Sequence, residues 1–136
     1  MAGSFKSIAL SKRNPFLMVG RNGTHYMGQM FPCNKRIIDF SDTTMGVRAF
    51  FSWLRFIQRR KSVITVGGVL DNIDWLDSQQ NFGLQSKVYA NSGLSAEDPF
   101  DYHLPTACTL AIVLAKALTD IDLRDDVVQT AQKMIL

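Results

Sequence analysis

The 136-residue chain holds only two cysteines, Cys33 and Cys108, and only two histidines, His25 and His103. The cysteines stand far apart, with no Cys-x-x-Cys pair and no Cys/His cluster, so they read as buried free thiols in a reducing compartment. The histidines lack partners at metal-ligand or triad-like spacing and read as structural or solvent-exposed. Neither glycine-rich phosphate-loop spacing occurs, and Gly67-Gly68 reads as a β-bulge or a close backbone approach. Asp71, Asp74 and Asp77 recur every third residue without the spacing of a calcium loop, which makes them a solvated loop. These absences leave no support for an enzyme, a metal site or a cofactor. Long apolar runs are missing too: the first six residues lack a signal-like apolar core, and Arg55 interrupts the stretch from Ala49 to Ile57. Neither secretion nor membrane spanning is expected. Asn22-Gly23-Thr24 fits a glycosylation sequon, but without an export signal it marks a turn.

What the chain does have is a division of charge. Eleven basic residues and two acids lie ahead of Ser62, and four basic residues and ten acids follow, giving +9 and −6 within a net +3. A domain polarised this way either holds a polyanion on one side or meets copies of itself through opposite charges. With 46% hydrophobic and 20% charged residues, a single folded domain over 1–136 is expected.

Local patterns predict strands through most of the chain. Phe5–Leu10 and Phe16–Val19 flank a turn-forming Ser11–Pro15 cluster as a first hairpin, and Asn22-Gly23 leads into a third strand over Thr24–Met30. Arg36–Phe40 forms another. Val47–Lys61 stays open between two states. Val47, Phe50, Phe51, Leu54 and Ile57 follow helical spacing opposite Arg48, Ser52, Arg55 and Arg59, while the aromatic and β-branched content suits a strand. Ser62–Leu70 and Gln85–Asn91 alternate as strands, with Trp75 and Leu76 anchoring the loop between them, and Phe100–Leu104 is a last short strand before Pro105. Thr106 caps an apolar helix from Ala107 to about Leu118. Asp122 caps a final helix with Asp125 and Asp126 at its start, Lys133 near its end, and Leu123, Val127, Ala131 and Met134 along one side.

The expected fold class is α+β: an antiparallel β-sheet built from hairpins, followed by two C-terminal α-helices packing on one face and completed by dimerisation. With Tyr102-His103-Leu104-Pro105-Thr106 leading from the last strand into the paired helices, this layout resembles the coat proteins of single-stranded RNA bacteriophages. The helical spacing across Val47–Lys61 departs from that pattern. The resemblance implies a single coat-like domain without enzymatic role. It implies a homodimer, and a shell of many dimers enclosing single-stranded RNA in a virion assembled in the host cytoplasm, with no membrane partner. Independently, a lone sheet with uncovered edges and an apolar helical face calls for a twin.

The RNA-binding residues expected on the open sheet face and beside it are Arg55, Arg59, Arg60, Lys61, Thr65, Gln85, Lys87, Tyr89 and Asn91. Cations would neutralise phosphates, Tyr89 would stack on a base, and the amides and hydroxyl would bond base edges or sugars. Leu110, Leu114, Leu118, Val127 and Met134 would form the dimer interface. A reading of another class makes Val47–Lys61 a basic aromatic helix, by which a peripheral adaptor docks on anionic lipid or in a partner's groove.

Overall fold

The computed structural model describes residues 2–136. It overturns the α+β expectation: among the described residues there is no sheet and there are six helices. They are α1 (Ala2–Lys12), α2 (Thr43–Lys61), α3 (Val66–Asp71), α4 (Ser78–Ser92), α5 (Pro105–Thr119) and α6 (Asp125–Lys133). Extended pairing survives only as isolated antiparallel bridges, Val19 with Ile37, Gln29 with Phe40 and Thr65 with Pro99.

The open segment is resolved as a helix. Asp42 caps α2, its side chain accepting from the Met45 N–H at 2.9 Å, which satisfies one of the orphan donors of the first turn. Val47, Phe50, Phe51, Leu54 and Ile57 are all buried, as is Trp53. Phe50 stacks on Phe16 with ring centroids 4.0 Å apart, and Trp53 meets Trp75 edge-on at 4.9 Å. Full burial of each such side chain contributes roughly 1.5–3 kcal/mol, so the aromatic content that suited a strand is the inner stripe of the central helix. α2 packs most extensively on α6, and α5 packs on α1, α4 and α6.

Three of the expected strands give way to helix for local reasons, and Phe16–Val19, Thr24–Met30, Arg36–Phe40 and Phe100–Leu104 form no strand beyond isolated bridges. Phe5 and Ala9, four residues apart, turn one side of α1 inward, with Ala9 fully buried. The helix ends in a Schellman motif, in which Asn14 N–H donates to Ala9 O and Arg13 N–H to Leu10 O while Arg13 takes φ +54°. Gln85–Asn91 falls inside α4, opened by a capping box in which Gln80 N–H donates to Asp77 and the Gln80 side chain accepts from Asp77 N–H. Leu84 and Val88 are its buried pair, and a Val at such a position serves helix and strand periods alike. Thr65 ends its own extended bridge by capping α3, accepting from Gly68 N–H at 3.1 Å. The close approach expected at Gly67-Gly68 is real at Gly67: its N–H donates to Ala96 O, and a β-carbon there would lie 3.0 Å from Ala96.

The paired C-terminal helices are present as α5 and α6. α5 starts two residues earlier than expected, with Pro105 at its first position and Leu104 rather than Thr106 as cap. In α6 Ala131 is buried as expected, but Val128 and Gln132 join it on the inner stripe, while the expected Val127 is half-buried and Met134 exposed.

Between α1 and α2 runs a 13–42 segment without regular structure, held by backbone bonds such as Gly20 N–H to Arg36 O, Lys35 N–H to Gly20 O and Ile38 N–H to Met18 O. Asn14 staples it. The buried amide donates to Met18 O and Ile38 O, each at 3.0 Å, and its oxygen accepts from Met18 N–H at 3.0 Å. Phe16, Met18, Ile38 and Phe40 fill the space beneath. The turn expected at Asn22-Gly23 is present, with Gly23 at φ +83°. Trp75 anchors the far side by donating to Phe16 O at 2.9 Å.

Candidate functional site

Of the 15 lysines and arginines, ten have no carboxylate within ion-pair distance among the described residues, and five of those ten lie on α2: Arg48, Arg55, Arg59, Arg60 and Lys61. The helix carries no acid at all. Cations in the last turn favour the helix dipole, but Arg59, Arg60 and Lys61 stand in succession and exposed, each repelling the next.

The neighbourhood adds rings to charge. Arg59 Nη2 donates to the Tyr102 hydroxyl at 3.1 Å, and its guanidinium carbon lies 5.7 Å from the centre of the Tyr102 ring. Tyr102 is fixed from two sides: its N–H donates to Gln58 Oε1 at 2.8 Å, and its carbonyl accepts from Gln132 Nε2 at 3.0 Å. The same Gln132 amide donates to Leu104 O, so α6 holds the segment entering α5 against the end of α2. The exposed His103 ring meets Tyr102 edge-on at 5.5 Å, and the adjacent carboxylate, Asp101, is engaged by His103 Nδ1. Asp98 is bonded to Ser95. The end of α2 therefore carries three exposed cations beside two aromatic rings, with Asp101 bonded to His103 and Asp98 to Ser95.

The nine expected RNA contacts do not share one face. Arg59, Arg60 and Lys61 are exposed in succession around the last turn of α2, spread over about 200° of the helix end. Arg55 is half-buried and spent on structure, donating from Nη1 to Ile135 O at 2.6 Å. Thr65 uses its hydroxyl to cap α3. The remaining four ride on α4, where two residues of spacing turn the side chain about 200°. Gln85 and Tyr89 therefore lie away from Lys87 and Asn91. Gln85 donates to Asp71 and Asn81. The Tyr89 hydroxyl is buried without a partner, and burial raises its pKa, with Asp71 and Glu97 adding to the rise. Tyr89 is not free to stack on a base.

Lys87 and Asn91 border an open groove of about 590 Å³ between α4 and α5, with Lys116, Asp120 and Asp122 on its other side. Lys116 bonds both carboxylates, at 2.8 and 3.1 Å; this holds its own pKa up and that of Asp120 down. The groove lining thus holds two cations and two carboxylates, with no excess positive charge to draw a polyanion.

Among the residues expected at a dimer interface, Leu110 and Leu114 are fully buried within the subunit's own core, Leu118 and Val127 are half-buried, and Met134 is exposed. Tyr102, His103 and Gln58 were not among the expected site residues. No spacing signal joins Arg59 to a ring 43 residues later.

The chain matches no protein-family model, no curated protein and no solved structure.

Proposed function

We infer that this protein binds single-stranded RNA through the end of α2, where Arg59, Arg60 and Lys61 meet phosphates and the Tyr102 and His103 rings offer faces to unpaired bases. The observation that carries this reading is an acid-free helix ending in three successive unpaired cations beside a ring fixed by hydrogen bonds. Phosphate neutralisation supplies affinity without sequence preference, and base stacking on an aromatic ring adds roughly 1–3 kcal/mol per base. Double-stranded RNA buries its base faces, so the surface favours single strands.

Packaging of RNA in a shell of copies drew its motive from charge polarisation and the strand-then-helix layout, and dimerisation from sheet edges and an uncovered helical face. With no sheet among the described residues, and with α5 packed on its own subunit, only the charge division remains, and the proposal is RNA binding itself. The adaptor reading loses its apolar stripe to the core in the same way; of that stripe's neighbours Phe56 alone is exposed, at 49%.

The test is fluorescence anisotropy with an oligouridine and a matched RNA duplex, with particle sizing of the purified material. Tighter, salt-sensitive binding of the single strand is the expected result. RNA enclosed in large particles would restore the coat reading. No preference for the single strand, or no binding at low salt, would refute the assignment.

A further inference from the structure

The 13–42 segment leaves three large apolar side chains in solvent at its tip. Met27, Met30 and Phe31 are 56%, 48% and 61% exposed. Their exposure is built in. Gln29 N–H closes a turn onto Tyr26 O, the Gln29 side chain accepts from Tyr26 N–H and donates to Phe31 O, and Gln29 itself is buried. Gly28, at φ +84°, lies against Met45, where a β-carbon would sit 2.5 Å away, and its carbonyl accepts from Ser41 N–H. With the backbone pinned and Gln29 turned inward, the apolar neighbours are held outward, so little ordering is left to lose on binding.

Lys12 and Arg36 adjoin Phe31 at this tip, and Lys35 precedes Arg36 in the chain. Lys12, Lys35 and Arg36 have no carboxylate within ion-pair distance among the described residues. Lys12 and Arg36 border, with Phe31, a hollow of about 480 Å³ whose one acid, Asp39, is paired to Arg13 at 3.3 Å. The start of α2 adjoins the tip through Met45, and the rise along α2 separates Met45 from Arg59–Lys61 by roughly 21–24 Å.

We propose that this tip docks on the surface of an anionic lipid bilayer, inserting Met27, Met30 and Phe31 at the acyl boundary while Lys12, Lys35 and Arg36 meet headgroup phosphates. Exposed apolar groups flanked by cations are the chemistry of an interfacial contact. Two of the three groups are flexible thioethers, which fill an apolar phase and have no ring to stack on a base. Pairing of the tip with the same tip of a second copy would set three cations against three. No helix among the described residues is long and apolar enough to cross a membrane, so the contact is peripheral. It stands apart from the RNA reading.

The test is co-sedimentation of the full chain with phosphatidylcholine vesicles with and without phosphatidylserine. The variants are Met27→Ser/Met30→Ser/Phe31→Ser, Arg59→Gln/Arg60→Gln/Lys61→Gln, and Phe82→Ser, which removes an exposed phenylalanine on α4. Binding is expected only with phosphatidylserine. The loop variant should bind at least about tenfold more weakly, in keeping with the scaling of interfacial binding with inserted apolar area, and the other two should retain binding. Phe31→Trp should show blue-shifted emission on vesicles. Absence of wild-type binding at low salt, equal loss in Phe82→Ser, unshifted Trp emission, or a change of oligomeric mass in the loop variant without any lipid dependence would each overturn the proposal.

Discussion

Replacing Arg59, Arg60 and Lys61 together by glutamine removes three positive charges from the end of α2 and little else. Glutamine matches arginine and lysine in helix propensity, and none of the three pairs with an acid among the described residues; the one bond lost is Arg59 to Tyr102. The lost dipole interactions cost about 0.3–1 kcal/mol each, so the variant should stay folded with a modestly lower melting temperature. Its RNA binding should change in a defined way. Each phosphate neutralised on a single strand contributes about 0.7 to the slope of log K against log salt, so removing three contacts should flatten that slope by about 2. Between about 50 and about 200 mM salt, the wild type should then lose about 20-fold more affinity than the variant. Anisotropy of a labelled oligouridine across that range reads the slope, and circular dichroism checks the fold. A folded variant with the wild-type slope would refute the assignment of these cations to phosphate.

Three further predictions concern the scaffold. Asn14→Ala strips the partners from Met18 N–H and Ile38 O and one of two from Met18 O and should cost about 3 kcal/mol, read by urea unfolding. Gly20→Ala would put a β-carbon 1.5 Å from Cys33 O, and should likewise cost about 3 kcal/mol or more by breaking the bonds of residue 20 to Lys35 and Arg36. Tyr89→Phe deletes a buried hydroxyl with no partner and should be neutral, or stabilising by up to about 1 kcal/mol. Because burial raises the Tyr89 pKa above 10.0, the unfolded chain gives up that proton first. Wild-type stability should therefore fall as pH rises past about 10, and less steeply in the variant. Equal slopes in the alkaline melts would contradict this.

How much of this was legible in the sequence depends on the length of the pattern. The α5 stripe of Ala107, Leu110, Ala111 and Leu114 spans two turns with no competing period, and all four residues are buried. The stripe on α2 is as long, yet its aromatic and β-branched residues left it balanced between states. The seven residues from Gln85 to Asn91 alternate too briefly to separate a period of 2 from 3.6. The deciding signal was the Asp77/Gln80 capping box, which lies outside that window. Once α4 is read as a strand, Lys87, Tyr89 and Asn91 are placed on one face, and the site is misassembled with it. Arg59, Arg60 and Lys61 could be picked out from charge alone. Their partner Tyr102 could not, because folding rather than spacing brings it there. The exposure of Met27, Met30 and Phe31 was equally hidden, since composition alone marks such residues as core.

The account turns on where RNA meets the folded chain. Amide chemical-shift mapping by NMR, during titration with an oligouridine, tests it most directly. The expected shifts cluster on Gln58–Ser62 and Tyr102–Leu104, with Gln85–Asn91 unchanged; shifts centred on Gln85–Asn91, or none at saturating RNA, would contradict it.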